Sequence, residues 1–420
     1  MIRHPIRALA FIVVFLFSSS AMAILNLELT RGVAGAMPIA VVPFSVQGEM
    51  PPQDVSAIIA NDLQNSGRFK VSGQGSTGVD EVVQGKIQSA GGDRYQVSFQ
   101  LVDNFKKKGS GNAVSLEKNY TVPGGQLRSL AHHISDLIYQ QMIGVRGVFS
   151  TKVAYVVVQR SPQGPTRYIL EVCDQDGYNP QPLLTSYDPI MSPSWSPNGK
   201  QIAYVSFEKQ RAAIYLEEVA SGSRRLVSEF PGINGAPAWS PDGSKLALVL
   251  SKSGSPNVYV MDMATHGLTQ LTHDWYINTE PSWSPNGKSL LFTSNRGGGP
   301  QIYQMNIGSG SVSRITYDGS YNARASFTPD GNHIVFNHKE GGAYQIGILD
   351  LDTGTFRALT TTGLDNDSPS IAPNGSMVLY DTIYGNRSVL AMVSTDGRVQ
   401  LRLPARNGEA QDPAWSPFLS

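Results

Sequence analysis

Pro193-Ser-Trp-Ser-Pro-Asn-Gly199 is the stretch that decides the fold, because the chain repeats it. Five further copies begin at Pro237, Pro281, Ala325, Pro369 and Pro413, so successive copies start 44 residues apart. Six copies in one register define an internal repeat. A period of about 40–45 residues built from short strands is typical of β-propeller blades with four strands each.

Each repeat predicts a strand, a tight turn and a second strand. In Ser-Pro-(Asn/Asp)-Gly, proline fits the second turn position and glycine accepts the left-handed backbone that follows. Apolar segments such as Ile202-Ala-Tyr-Val205 come directly after the turn. Four of the five tryptophans share one repeat position, which predicts packing between blades rather than ligand stacking: Trp195, Trp239, Trp283 and Trp415.

The sixth copy lacks its later strands, and matching segments precede the first copy at 152–158, 167–173 and 181–185. Pairing the C-terminal strand with these segments would close the ring and leave no open sheet edge. The span 151–420 holds 270 residues, or 45 for each of six blades. The sequence therefore predicts a six-bladed β-propeller closed by its C-terminal strand.

Residues 37–150 have a different pattern and predict a small α/β domain. The apolar run 38–44 predicts a buried strand, and 81–87 and 95–102 alternate as strands do. Helical spacing at 54–64, with Asp54 as the N-cap, and at 126–143 predicts two amphipathic helices. The expected fold class is thus a two-domain α+β and all-β protein.

The first 23 residues predict a secretory signal peptide. Arg3 and Arg7 precede ten apolar residues, and Ala21 and Ala23 supply an A-x-A cleavage site. Ten apolar residues are too few to span a bilayer, which needs about 20. A buried helix is the alternative interpretation. Because no cysteine lies near the cleavage site, we expect an exported, soluble and unlipidated protein.

Composition excludes several function classes. Of 420 residues, 40% are hydrophobic and 16% are charged, with 33 Lys+Arg against 33 Asp+Glu. A balanced charge gives no electrostatic reason to expect a nucleic-acid partner. One cysteine cannot form an intramolecular disulfide, a CxxC pair or a cysteine zinc site.

Candidate catalytic and ligand motifs are weak. Gly73–Gly78 matches G-x-G-x-x-G by letter, but the following residues predict a strand instead of the helix that a dinucleotide site needs, which favours a loop. His132, His133 and Asp136 could place one histidine and one carboxylate on a single helical face, but no third metal ligand is identifiable, which favours a solvated face. No G-x-S-x-G or H-E-x-x-H motif occurs. We therefore expect no cofactor, no metal and no catalysis.

Several segments outside the repeat resemble the TolB family, the periplasmic propeller proteins of the Tol-Pal system. They are Ala60-Asn-Asp-Leu-Gln-Asn-Ser-Gly67, Phe230-Pro-Gly-Ile-Asn-Gly-Ala-Pro237, Tyr259-Val-Met-Asp262 and Val393-Ser-Thr-Asp-Gly-Arg398. The resemblance covers the whole chain after the signal peptide. It departs from the family pattern at 72–80, which is short and glycine-rich.

This resemblance implies a monomeric, non-catalytic periplasmic scaffold. Such a protein binds the lipoprotein Pal through its propeller and TolA through its mature N-terminus, maintains outer-membrane integrity, supports constriction at cell division and is used by some bacteriocins. The rival hypothesis is a periplasmic hydrolase or lyase that uses the propeller channel.

The N-terminal tail, residues 24–36, is the predicted TolA-binding segment. Leu25, Leu27 and Leu29 alternate with polar residues as in a strand that has no assigned partner. Addition to a sheet edge of another protein would satisfy that strand; folding back on its own chain is the alternative, and both could hold in different states. The candidate TolA contacts are Leu25, Leu27, Glu28, Leu29 and Arg31.

The predicted Pal-docking face is the end of the channel where each outer strand leads into the next blade. Asn234, Asn278, Asn322 and Asn366 recur there at 44-residue intervals and predict an arc of amides around the channel. The alternative, compatible with the first, is that they bond their own loops. The full candidate set is Met191, Asn234, Gly235, Ala236, Asn278, Thr279, Glu280, Asn322, Arg324, Asn366, Asp367 and Asp412.

Overall fold

A computed structural model of the chain describes residues 28–31, 35–73, 78–79, 81–107, 113–361, 363–403 and 408–419. These residues form an N-terminal α/β domain followed by a six-bladed β-propeller, which confirms the predicted fold class. Among the described residues, no helix has the length and apolar composition needed to cross a membrane.

The α/β domain is a mixed sheet covered by helices. Its elements, with the tail strand first, are β1 (Glu28–Arg31), β2 (Met37–Val41), β3 (Ser45–Gln47), α1 (Val55–Asn65), β4 (Phe69–Ser72), β5 (Glu81–Ser89), β6 (Arg94–Asp103), α2 (Asn104–Lys107), β7 (Val114–Pro123), a 3-10 turn (Gly124–Gln126) and α3 (Leu127–Ile143). The sheet order is β4-β2-β5-β6-β7, with β3 beside β5. Strand β2 runs parallel to β4 and β5, and β5, β6 and β7 are antiparallel.

Helices α1 and α3 bury their apolar faces against this sheet, with Ile59, Leu127 and Ile134 fully buried. The predicted cap of α1 is confirmed, because the Asp54 carboxylate accepts a hydrogen bond from the Ala57 N–H at 3.0 Å. Gly144 ends α3 at φ 90°, a backbone conformation that glycine accepts without a Cβ clash.

The propeller consists of short antiparallel strands. They are β8 (Lys152–Gln159), β9 (Arg167–Asp174), β10 (Gln181–Ser186), β11 (Ile190–Trp195), β12 (Gln201–Ser206), β13 (Ala213–Glu218), β14 (Arg224–Ser228), β15 (Asn234–Trp239), β16 (Lys245–Leu250), β17 (Asn257–Asp262), β18 (Leu268–Gln270), β19 (Asn278–Trp283), β20 (Ser289–Ser294), β21 (Gln301–Asn306), β22 (Val312–Arg314), β23 (Tyr321–Phe327), β24 (His333–Lys339), β25 (Gln345–Asp350), β26 (Phe356–Ala358), β27 (Asn366–Ile371), β28 (Met377–Tyr384), β29 (Arg387–Ser394), β30 (Gln400–Leu403) and β31 (Glu409–Trp415). Blades 1 to 5 each take four consecutive strands from β11 onward, and blade 6 combines β31 with β8, β9 and β10.

Ring closure follows the prediction, since β31 pairs antiparallel with β8. The Ser416 hydroxyl accepts a hydrogen bond from the Lys152 N–H at 2.9 Å, and the Trp415 indole N–H donates to the Thr151 hydroxyl at 2.8 Å. These contacts join residues more than 260 positions apart. Closure therefore gives blade 6 its innermost strand, β31, and covers the edge of β8 that would otherwise be unpaired at the channel.

The repeated tryptophans join neighbouring blades, as predicted. The Trp195 indole N–H donates to the Ala414 carbonyl at 3.1 Å, across the junction of blades 6 and 1. Trp283 makes the same bond to the Ala238 carbonyl at 3.1 Å, across the junction of blades 2 and 3. The shared repeat position thus gives a shared packing role.

The two domains meet at a polar interface that we call the domain seam, formed by Asp62, Arg68, Arg128, His132, Asp174, Asp176 and Asp396. Arg68 pairs with Asp396 at 2.9 Å, and Arg128 pairs with Asp174 at 3.2 Å and also with Asp176. The guanidinium of Arg128 lies 3.8 Å from the centre of the Tyr178 ring. The α/β domain is therefore held to blades 5 and 6 by charge pairs.

The tail strand has a partner within the chain, which confirms the alternative that the tail folds back on its own chain. Strand β1 pairs antiparallel with β30, placing Leu29 opposite Leu401 and making blade 5 a five-stranded sheet. Strand addition to a blade edge satisfies the backbone groups of β1. Sequence alternation identified the strand but could not identify its non-local partner.

Candidate functional site at the mouth of the propeller channel

The first strand of each blade carries a β-bulge at one repeat position, next to the central channel. The bulged residues all have φ between 45° and 54° and line a cavity of about 440 Å³: Ser192, Ala236, Glu280, Arg324, Ser368 and Asp412. Positive φ costs a non-glycine residue on the order of 1 kcal/mol. We call this set the bulge ring.

The bulge ring differs chemically from blade to blade. Four of its residues belong to the docking set predicted from the sequence, Ala236, Glu280, Arg324 and Asp412, but their shared backbone conformation was not predicted. Five of the six residues directly precede the proline that starts a repeat, and this position was the available signal. Because the six residues share a backbone conformation but differ in their side chains, the bulge ring forms a chemically asymmetric surface.

One arginine links the acidic groups of the ring. Arg324 donates from Nε to Glu280 Oε1 at 3.0 Å and from Nη1 to Asp412 Oδ1 at 3.1 Å. Burial opposes the charged guanidinium, but Asp412, Glu280 and Asp367 raise the pKa of Arg324 above its ordinary value. The guanidinium therefore stays charged and fixes the two carboxylates.

A further carboxyl group lies behind the ring on β28. Asp381 stands opposite Asp367 on β27, and its Oδ2 accepts a hydrogen bond from the Asp412 N–H at 3.0 Å. Burial, together with the negative charges of Asp367 and Asp412, raises the pKa of Asp381 to about 7. Three carboxylates thus pair with the Arg324 guanidinium and a fourth carboxyl group lies behind them, which leaves this part of the channel acidic even when Asp381 is protonated.

The repeated asparagines do not form an open arc of amides, so that prediction is wrong and its alternative is confirmed. Asn234 is fully buried; its amide donates to the Phe230 carbonyl at 2.6 Å and accepts from the Phe230 N–H at 2.9 Å. Asn278, Asn322 and Asn366 are at most 1% exposed and also bond within their own loops. Each asparagine side chain therefore shapes the loop behind the bulge ring.

The other predicted docking residues occupy three environments. Met191 is partly buried in the apolar contact between blades 1 and 2. Gly235 and Thr279 are partly exposed beside the bulges of blades 2 and 3. Asp367 accepts hydrogen bonds from the Asn337 amide and, at 2.7 Å, from the Ser368 N–H. Of these, Gly235, Thr279 and Asp367 remain accessible to a partner.

An apolar rim on the same end of the propeller was missed by the sequence analysis. Large exposed side chains lie in the loops that lead into first strands: Tyr187, Ile233, Trp275, Tyr276, Ile277, Tyr317 and Leu364. The signal was available in the run Trp275-Tyr276-Ile277, which lies between two predicted strands where polar residues are usual.

His132 and Asp136 do not lie on a solvated face, which corrects the favoured interpretation for these two residues. In contrast, His133 is partly exposed and its Nε2 lies 3.1 Å from the Tyr120 hydroxyl. His132 is 3% exposed and Asp136 is 2% exposed. His132 Nδ1 lies 2.8 Å from Asp62 Oδ2, while the Asp136 carboxylate accepts the Phe149 N–H at 2.7 Å. The pairing of α3 with α1 and with residues after α3 buries both groups.

Asp62, His132 and Asp176 bring one ligand-type atom each within 4.8 Å of one another. The Arg128 guanidinium is bonded to the same Asp176 carboxylate, so a cation already occupies that side of the group. Burial lowers the pKa of His132, but the Asp62 carboxylate outweighs it and the net pKa is raised above the ordinary value. We therefore assign these residues to the ion-pair network of the domain seam.

Some predicted features lie outside the described residues. They are the signal peptide with Ala21 and Ala23, the tail residues Leu25 and Leu27, and residues 74–77 within the glycine-rich segment. For Glu28, Leu29 and Arg31 the backbone pairing with β30 is described.

These features define a class: a two-domain protein in which an α/β domain is joined to a six-bladed propeller with an asymmetric channel mouth. Family models described as the TolB beta propeller domain and the TolB amino-terminal domain match residues 139–419 and 25–78. The first match covers more than half of the chain. The chain belongs to the TolB family.

Individual relatives agree with this assignment. The Tol-Pal system protein TolB of Coxiella burnetii is 51% identical over 255 residues, covering 56% of this chain and 57% of that protein. The TolB of Legionella pneumophila (strain Corby) is 50% identical over 234 residues, covering 53% and 54%. The alignment thus spans about half the length of these curated relatives. The crystal structure of TolB from Acinetobacter baumannii is similar with a TM-score of 0.86 and 40% identity, covering 94% of this chain and all of that one.

Proposed function

We propose that this chain is a non-catalytic, periplasmic binding protein of the Tol-Pal system. In this proposal the propeller binds the peptidoglycan-associated lipoprotein Pal and the N-terminal tail binds TolA. The linkage would serve outer-membrane integrity and envelope constriction during division. The naming of the Coxiella and Legionella relatives as Tol-Pal system proteins supports the system, and the signal-peptide pattern supports export.

The observation that carries the docking proposal is the preformed channel mouth. Buried asparagine side chains fix each loop from behind, as Asn234 does through two bonds to Phe230. The bulge ring then projects different side chains from the same backbone position in each blade. A rigid surface with varied chemistry suits recognition of one folded partner, because little order has to be gained on binding.

The test replaces Ala236 or Thr279 by arginine in the full chain. Arg324 already occupies the Ala236 position of another blade at φ 54°, so that backbone accepts arginine. A new long, charged side chain should obstruct the partner and weaken Pal binding by more than about 1 kcal/mol. Calorimetry with the purified periplasmic domain of Pal measures this.

The matched control is Thr121→Arg, on the exposed face of strand β7 in the α/β domain. This variant introduces the same side chain in the other domain, outside the channel, and should leave Pal binding unchanged. If both channel variants fold normally and retain Pal as tightly as the parent, docking occurs elsewhere and the proposal fails.

The tail proposal rests on the pairing of β1 with β30. Strand β30 supplies backbone hydrogen-bond partners to β1 within the chain. If β1 is released from β30, a sheet edge of TolA could supply the same backbone hydrogen bonds. Deleting residues 24–35 should abolish capture by TolA and leave the thermal transition of the propeller in place. Equal capture of TolA by the trimmed chain would show that the tail is not the contact.

A further inference from the structure

The loop between β18 and β19 exposes three consecutive large apolar side chains. Trp275 is 87% exposed, and Tyr276 and Ile277 are each about half exposed. Ile233 occupies the position of Ile277 in the preceding blade and is also about half exposed. We call these four residues the aromatic patch. An apolar group of this size in solvent marks an interaction site more often than an isolated exposed residue does.

Hydrogen bonds to the side chains of Asp274 and Asn295 hold the loop that carries Trp275 in place. Asp274 Oδ1 accepts from the Asn278 amide at 2.6 Å and from the Tyr276 N–H at 3.2 Å, and Asp274 Oδ2 accepts from Arg296 at 2.8 Å. Asn295 Oδ1 accepts from the Ile277 N–H at 2.9 Å. The backbone of the patch is therefore ordered before any partner binds, which lowers the entropic cost of binding.

The patch is continuous with the loops that the proposed function assigns to docking. Ile233 precedes Ala236 by three residues, and Ile277 precedes Thr279 by two. Tryptophan and tyrosine that are rigid and central in an interface commonly contribute most of its binding energy. Blades 2 and 3 thus combine an apolar anchor with the variable bulge ring.

We propose that the aromatic patch is the anchor of the propeller's protein partner, which receives Trp275 in an apolar pocket and places a basic group over the acidic channel. This inference rests on the proposed function and adds the chemistry of the partner's surface. The basic group follows from charge complementarity, because three carboxylates pair with the single Arg324 guanidinium and leave an excess of negative charge.

The same charges argue against a lipid surface as the occupant. Exposed tryptophan and tyrosine also favour membrane interfaces, but anionic headgroups would approach Glu280, Asp367 and Asp412 and be repelled. A protein with a basic group at the centre of its docking face satisfies both the apolar patch and the acidic channel.

The experiment compares full-length Trp275→Ala with the parent for binding of the periplasmic domain of Pal. We expect at least about tenfold weaker binding, with Trp275→Phe intermediate and a weaker parent complex at high salt. Met50→Ala is the matched control, because Met50 is 74% exposed but belongs to the α/β domain. It should bind like the parent. Binding of each variant to vesicles of anionic phospholipid is measured in parallel.

The outcomes separate this inference from the proposed function. If Trp275→Ala binds Pal like the parent while Ala236→Arg does not, the anchor is wrong and the docking proposal stands. If neither variant changes Pal binding, both fail. If Trp275→Ala loses vesicle binding instead of Pal binding, the patch faces lipid and the inference is overturned. If salt does not weaken Pal binding, the partner places no basic group over the acidic channel, and that part of the inference is overturned.

Discussion

The domain seam and the channel mouth both contain clusters of charged side chains, but the two clusters are balanced differently. At the seam, Arg128 bridges Asp174 and Asp176, and Arg68 pairs with Asp396. At the mouth, the Arg324 guanidinium pairs with three carboxylates, a fourth carboxyl group lies behind them, and six non-glycine residues have positive φ. Uncompensated charge and strain persist where the rest of the fold enforces them, and such places are commonly functional. This difference supports a cohesive role for the seam and the recognition role that we propose for the mouth.

The largest expected loss of unfolding free energy is caused by Arg128→Met, and a smaller loss is expected for Arg324→Met. The Arg128 side chain is 15% exposed. Its removal would leave Asp176 without its paired cation and Asp174 with Lys152 alone. We expect a loss of about 3 kcal/mol in the free energy of unfolding, since breaking a largely buried pair leaves a carboxylate without its partner. Arg324 is 36% exposed and borders an open channel, so we expect about 1 kcal/mol or less.

Urea denaturation of both variants measures this, with tryptophan fluorescence reporting on the propeller, which holds all five tryptophans. The methionine side chain retains most of the apolar stem in each case, so the two variants are matched. Equal losses, or a larger loss for Arg324→Met, would contradict the division between seam and mouth.

The next prediction uses the raised pKa of Asp381. Its folded-state pKa of about 7 exceeds the ordinary unfolded value of about 3.9, so the folded chain binds the proton more tightly. Stability from this group is therefore full below about pH 4 and is lost as pH rises to about 7. Asp381→Asn keeps an acceptor for the Asp412 N–H but removes the charge. It should resemble the parent below about pH 4 and exceed it increasingly as pH rises to about 7, by about 4 kcal/mol near pH 8.

His132 supplies the contrast at the seam. Its pKa is also raised, so its contribution is full below about pH 6.5 and is lost as pH rises through the folded-state value. The groups that face it are Asp62 on α1, Asp176 on the propeller and Arg128 on its own helix. The Asp381→Asn difference should therefore develop at lower pH than any His132 effect. A difference from the parent that does not vary with pH would exclude the assigned role of Asp381.

Features that local chemistry determines were predictable from the sequence. The Ser-Pro-Asn-Gly turn forms as expected, with the Gly199 N–H donating to the Ser196 carbonyl at 2.9 Å. The Asp54 cap needs only residues within one helical turn. Ring closure was predictable because the strands of the incomplete last repeat could be counted at the start of the propeller.

Features that depend on distant residues were not predictable. The burial of His132 requires Asp62, which lies 70 positions away in the sequence. The partner of β1 lies in blade 5, almost the full chain length away. The bulge ring was not predictable for another reason. Its residues share a backbone position, but their side chains have no chemistry in common.

The smallest expected effect tests whether the bulge ring is strained. Ala236 has a φ of 45°, so Ala236→Gly should relieve backbone strain and stabilise the chain, although glycine also has more conformational freedom when unfolded. The net gain should be about 0.5–1 kcal/mol in thermal or urea unfolding. Ala238→Gly is the matched control on the same strand: Ala238 is not among the described residues with positive φ, and it packs against the core between blades 2 and 3. That control should lose stability by roughly 1 kcal/mol. If both glycines destabilise equally, the ring stores no strain, and its varied side chains alone distinguish the mouth from the seam.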